Sequence, residues 1–241
     1  MEVMRLGLLV CDHVRPEFLG IAGDYDDMFR RLFAGHDVEI VVYDAIGGEL
    51  PGDPAECDAW ITTGSRYSVN DDEPWIRDLE VFVRNVAAAE VPFVGICFGH
   101  QLIAKALGGS VIRSERGWGV GVKEVEVRDD LGLGGPYRVL NGHQDQVETL
   151  PLGGEVLGWN EHCPVSMLGV GGTMLGIQGH PEFEASYTKA VMESRRGTEI
   201  PDATVAAGIA TLSQPTDGDR FADWIVRWLR SGAIDESEDR A

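Results

Sequence analysis

Three side chains in this sequence could together carry nucleophilic chemistry: a cysteine set between glycines, a histidine far downstream, and a glutamate two positions beyond it. The cysteine is Cys97, in Val91-Pro-Phe-Val-Gly95-Ile-Cys97-Phe-Gly99-His-Gln101, where an apolar run ends and a helical pattern starts at once. This is the cysteine form of the Gly-x-Ser-x-Gly nucleophile elbow, a tight strand-to-helix turn that exposes one side chain. Small residues are needed at 95 and 99 because a Cβ at either would collide within such a turn. Read alone, the motif equally describes a buried cysteine at the end of a core strand followed by a glycine turn. The partners decide.

A cysteine nucleophile needs a base in hydrogen-bond reach, an acceptor that orients the base, and donors for the oxyanion. His180 is the best base, at the end of an apolar run in Gln178-Gly-His180-Pro-Glu182-Phe183. Glu182 can accept from one imidazole nitrogen while the other faces the thiol, and Pro181 restricts the backbone between them. Alone, Gly-His-Pro-Glu is also a polar turn leaving a strand; joined to the elbow, it predicts Cys97, His180 and Glu182 as the catalytic residues. The oxyanion donors would be backbone N–H groups: that of Phe98 by elbow geometry, and that of Gly64, where glycine lets the chain approach a ligand. The 64–70 loop by itself reads as an ordinary helix-capping loop.

His143 and Asp145 fall on a loop after a strand, and either face the pocket or form a solvated turn. His100, in the first turn after the nucleophile, either polarises it or packs. His162-Cys163 lacks the spacing of a metal-ligand set, so no metal is expected, and no motif calls for a cofactor. Asp71-Asp72-Glu73 reads as helix-capping charge, and Cys11, Cys57 and Cys163 as inert small residues.

The elements that position these groups follow from periodicity. Arg5–Cys11, Val38–Tyr43, Ala59–Thr63 and Val91–Ile96 read as strands, the first a continuous apolar run. Helical patterns lie between them over Asp24–Phe33 and from Pro74, where Trp75, Ile76, Leu79, Phe82, Val83 and Val86 share one face. Asp72 and Pro74 are placed to cap and start the latter. Strands alternating with helices predict a doubly wound, mostly parallel α/β sheet. Ligands bind such sheets beyond the carboxyl ends of the strands, where Gly64 and Cys97 both fall. From Ser110 an added antiparallel strand region follows, with a bulge or twist expected in Gly119–Val127 because its valines change phase. Helices are expected over Glu184–Arg196 and around Phe221, Trp224 and Trp228, with an alanine-rich segment between them over Asp202–Leu212. These readings give one domain over 1–231 and an acidic, frayed tail over 232–241.

The chain has 241 residues and a formal charge of −20, which argues against a nucleic-acid or anionic-membrane partner. No apolar run approaches the roughly 20 residues of a membrane span. The N-terminus reads as a first strand, not a signal peptide, and four scattered cysteines without C-x-x-C suit a reducing cytoplasm.

Gly95-Ile-Cys-Phe-Gly-His-Gln101 with Gly179-His-Pro-Glu182 resembles the triad, or class I, glutamine amidotransferases, and the resemblance covers most of the chain. It is nearest to the stand-alone branch related to the amidotransferase domain of guanosine monophosphate synthetase, which includes gamma-glutamyl peptidases. Gly117-Trp118, His143-Gln-Asp-Gln-Val147 and Glu161-His-Cys-Pro164 share in it. The resemblance implies a flavodoxin-like fold, Cys97 as nucleophile, His180 as base and acid, Glu182 as orienter, and Gln101 in contact with the glutamyl substrate. Ser65, His143 and Asp145 join Gln101 as substrate-binding candidates. It also implies glutamine or a gamma-glutamyl compound as substrate, with ammonia passed to a synthetase or ligase in trans. A gamma-glutamyl peptide hydrolase acting alone is the alternative, and a non-catalytic subunit of the same fold an alternative of another class. In two places the chain departs from the family. The loop reads Thr63-Gly-Ser-Arg-Tyr-Ser68 where many synthetase-fused members have Gly-Gly-Pro, and no Ser-Gly-Gly-x-Asp-Ser or Walker sequence occurs.

Overall fold

Strand β1 (Met4–Leu9) shows how the sequence divides the core. Its alternate residues Leu6 and Leu8, with Val10 beyond, pack among Phe29, Trp224 and Trp228 on one face of the sheet. Leu9 points the other way, among Trp60, Phe82 and Leu102. Gly7 shares that second face because the Trp60 ring occupies its side-chain space: a Cβ there would lie 2.1 Å from Trp60 Cζ3. Helices therefore cover both faces, as a sheet apolar on two sides requires.

The computed structural model describes residues 2–231, so the expected acidic tail over 232–241 lies outside the described residues. After β1 come α1 (Leu19–Ala22), α2 (Tyr25–Leu32), β2 (Val38–Tyr43), β3 (Ala59–Thr62), α3 (Pro74–Ala88), β4 (Phe93–Ile96) and α4 (Phe98–Ala106). Then follow β5 (Ser110–Arg113), β6 (Gly119–Val127), β7 (Tyr137–His143), β8 (Asp145–Thr149), β9 (Gly154–Trp159), β10 (Met167–Val170) and β11 (Met174–Ile177). Helices α5 (Ala185–Ser194), α6 (Asp202–Thr211) and α7 (Gly218–Ser231) complete the order. The main sheet runs β2-β1-β3-β4-β11-β10-β9-β6-β7. Its first five strands are parallel, in the order of the flavodoxin-like doubly wound fold. The last four pair antiparallel and form the expected extension. No helix among the described residues is long and apolar enough to cross a membrane.

The sequence expectations need three corrections here. Asp72 does not cap α3: Glu73 holds the N-cap position without a side-chain bond, Pro74 starts the helix, and Asp72 pairs instead with Arg77. No bulge interrupts the pairing of β6 with β7, whose register is unbroken from Gly119↔His143 to Val125↔Tyr137. The irregularity sits at Gly121, whose φ of 77° brings its Cα against Gly208 and Thr211 of α6. Residues 119–122 are buried without alternation because α6 covers the face that would otherwise be wet. Thirdly, His143 and Asp145 are not on a loop. His143 ends β7 and Asp145 begins β8, which pairs with β5 as a separate two-stranded sheet.

The candidate active site

Three neighbouring parallel strands, β3, β4 and β11, deliver the candidate residues to one edge of the sheet. Thr62 lies opposite Gly95, and Ile96 opposite Ile177, so the chain positions just beyond them, Gly64, Cys97 and His180, emerge side by side. His180 is pinned further by its N–H, which donates to the Leu140 carbonyl of β7 at 2.8 Å.

Cys97 turns from β4 into α4 with φ 50° and ψ −94°, a conformation L residues rarely adopt. The flanking glycines permit it. A Cβ on Gly95 would stand 2.3 Å from the Gly99 carbonyl group, and one on Gly99 would stand 1.7 Å from Thr62 Oγ1. The Gly95 contact is with backbone, which cannot swing aside. Gly95→Ala is therefore expected to destabilise the chain by about 1–3 kcal/mol. An unchanged urea midpoint would contradict this packing.

His180 lies between the other two groups. Its Nδ1 is 2.7 Å from Glu182 Oε1, its ring is close enough to Cys97 to be influenced by its charge, and Phe183 stacks on its face at 3.9 Å between centroids. All three are buried: Cys97 and Glu182 are each 6% exposed and His180 5%. Burial acts most strongly on the imidazole and would keep it neutral. The Glu182 carboxylate, then Cys97, outweigh that effect and push its pKa up to about 10. Gly64 closes the group from β3, for a Cβ on it would meet His180 Cε1 at 2.6 Å and Cys97 Cβ at 3.6 Å. Neither the Gly64 nor the Phe98 N–H donates a hydrogen bond among the described residues. Two unengaged donors thus flank the thiol.

Gln178 is a contact that the sequence reading missed. Its Nε2 approaches Cys97 Sγ at 3.5 Å, and its Oε1 accepts from Gln101 Nε2 at 3.2 Å. The available signal was alternation, since residues 178 and 180 share one side of an extended chain. Gln101 Nε2 also donates to the Asp145 carbonyl at 2.8 Å, so its amide nitrogen braces the start of β8 as well as lining the pocket. The His143 ring, 3.2 Å from the same carbonyl through Nδ1, is held neutral first by burial and then by neighbouring His162, with its pKa down to about 3. Asp145 accepts from Ser68 at 2.6 Å and faces Arg113 at 3.7 Å. His100 is fully buried against Gly176, away from the thiol's open side, and burial lowers its pKa to about 4.

Cys97 sits where two lobes of a cleft meet. One, of about 480 Å³, is lined by Phe98, Gln101, Arg113, His143 and Asp145. The other, of about 780 Å³ including its open mouth, runs past His180 and Phe183 to Trp118 and Arg195. Ser65, Arg66, Trp118, Gly142 and Arg195 border both. All four substrate-binding candidates, Gln101, Ser65, His143 and Asp145, therefore line the first lobe. The lobe beside His180 was not foreseen.

Residues 30–197 match the family model described as glutamine amidotransferase class-I. A glutamine amidotransferase-like protein of Schizosaccharomyces pombe is 31% identical over 93% of this chain and 98% of its own length. Gamma-glutamyl peptidase 5 of Arabidopsis thaliana is 30% identical over 67% of this chain and 68% of its own. Among solved structures, a glutamine amidotransferase from Thermotoga maritima superimposes with a TM-score of 0.72 over 98% of this chain and 100% of that one, at 22% identity.

Proposed function

Since the chain belongs to the class-I glutamine amidotransferase family, which supports glutamine or gamma-glutamyl amide hydrolysis as its activity, we propose that Cys97 carries out that hydrolysis through a thioester. Cys97 sulfur attacks the side-chain carbonyl carbon, and the oxygen takes up negative charge toward the Gly64 and Phe98 N–H groups. The C–N bond then breaks, the amine leaving with a proton from His180, and a sulfur–acyl bond remains. Water gives a proton to His180 and adds to the thioester, releasing glutamate and restoring the thiol. Glu182 keeps the imidazole oriented throughout. The observation that best supports this reading is the single buried line Cys97–His180–Glu182, closed by the 2.7 Å contact.

The glutamyl head belongs in the first lobe, where Arg113 and Asp145 offer opposite charges to an α-carboxylate and an α-amino group. With glutamine the released amine is ammonia, available to a synthetase or ligase in trans. The second lobe, beside His180, favours a second reading, hydrolysis of gamma-glutamyl peptides by the chain alone.

Glutamate release from glutamine and from gamma-glutamyl peptides, followed by chromatography, tests the activity. Release from at least one of them is expected, together with covalent labelling of Cys97 by diazo-oxo-norleucine. No release from any of them and an unlabelled Cys97 would overturn the reading. Turnover that is fast for the chain alone on peptides favours peptide hydrolysis; turnover of glutamine that needs a partner favours amidotransfer.

A further inference from the structure

The lobe beside His180 is lined by charged and apolar side chains for which ammonia has no use. It holds three arginines, Arg15, Arg66 and Arg195, in a chain with only 20 Lys and Arg against 40 Asp and Glu. Arg66 is matched, its Nη2 lying 3.1 Å from the buried carboxylate of Asp12. The other two are less closely matched. Arg15 makes no ion pair among the described residues, and Arg195 has only Glu199 at 3.8 Å.

Arg195 is also held in place. Its guanidinium lies over the Trp118 ring at 5.6 Å, and its side chain is 15% exposed. A stacked guanidinium keeps its N–H groups pointing outward around its edge, ready for a planar anion. Arg195 Nε is buried and makes no hydrogen bond, facing the Glu199 carboxylate only at 3.8 Å. A second orphan lines the same lobe: the hydroxyl of Thr188, a residue 4% exposed, has no hydrogen-bond partner among the described residues. Buried donors without acceptors are costly, so a pair of them in one cleft marks a place for an acceptor from outside. Between these polar groups the wall is apolar, with Val120, Val191, Met192 and Ile200.

We propose that this lobe is a leaving-group subsite for an amine that bears a carboxylate beside an apolar side chain, as in a gamma-glutamyl dipeptide ending in a free carboxylate. The inference rests on the gamma-glutamyl reading given above and names its substrate class. Arg195, with Arg15, would take the carboxylate; Thr188 would donate to it or to the neighbouring polar atom; the apolar wall would take the side chain. The scissile nitrogen then lies at His180, which protonates it. In an acidic protein, arginines gathered in one cleft also counter the repulsion that an anionic substrate otherwise meets.

The test compares kcat/KM for gamma-glutamyl-leucine with that for its C-terminal amide, using glutamine as a substrate that lacks the group altogether. The acid is expected to be preferred over the amide by ~10-fold or more, the size of a charge-assisted hydrogen bond. In Arg195→Met the ratio should fall toward one, and in Arg15→Met it should fall in part. A ratio near one in the parent chain overturns the inference, as does a ratio unchanged in both variants. Equal losses on acid and amide in Arg195→Met would place that arginine on the glutamyl head instead, and also overturn it. Glutamine hydrolysis without an acid preference defeats only this inference, whereas inertness toward all three substrates defeats the gamma-glutamyl reading itself. The parent ratio needs no variant to fold.

Discussion

Cys97→Ser is expected to keep the fold and to lose at least about 10⁴-fold of kcat/KM on any gamma-glutamyl amide. The substitution changes one atom at a residue already 6% exposed, so packing is barely altered and the thermal midpoint should stay close to that of the parent. The chemistry is altered far more. A hydroxyl must give up its proton to a neutral base, yet the Glu182 carboxylate, which the variant keeps, is the foremost influence favouring the charged imidazole. A protonated imidazole cannot accept the serine proton, so the site is tuned to a thiol and not to an alcohol. Glutamate release measured beside a thermal melt separates loss of chemistry from loss of fold. Residual turnover within tenfold of the parent would sink Cys97 as the nucleophile.

Glu182→Gln is expected to lower kcat by about 10²–10⁴-fold and to move the alkaline limb of the pH–rate profile downward. The carboxylate is fully buried and 2.7 Å from His180 Nδ1. Burial works to lower the imidazole pKa, and Glu182 is the foremost influence raising it. A neutral amide leaves burial unopposed by that charge, so the pKa must fall. In the parent, the charged imidazole persists to about pH 10; in the variant it is lost at lower pH, and activity that needs it goes too. The effect on stability has the same sign. A raised histidine pKa stabilises the folded chain fully below the unfolded value of 6.5, and that contribution is lost as pH rises through about 10. The parent's advantage over Glu182→Gln from this interaction should therefore be largest near pH 6 and shrink toward pH 10. Superimposable pH–rate profiles would remove Glu182 from the role proposed for it.

What was legible in the sequence was whatever local chain geometry enforces. The elbow glycines flank Cys97 because of contacts within a few residues, and His180 and Glu182 are tied by a single proline, so their types and spacing betray them. The parallel strands were readable because apolar runs alternate with helical faces. Less visible was anything made by distant segments. Trp118 and Arg195 meet only because α5 and the chain after it lie against β6. Gln178 reaches the thiol only because β11 enters the sheet beside β4. The β5–β8 pair was missed because short strands with polar ends carry little periodicity, and Asp72 was misplaced by one residue at a helix boundary, where local signals are weakest.

The backbone at Cys97 bears on how such a site endures. Holding a non-glycine residue at φ 50° and ψ −94° costs about 1–3 kcal/mol, and glycine would relieve most of it. Folding selection alone would thus discard the thiol first. A lineage released from the need for this reaction has a downhill, one-codon path to a steadier but silent protein. On the proposed mechanism, a cysteine at this position trades stability for chemistry.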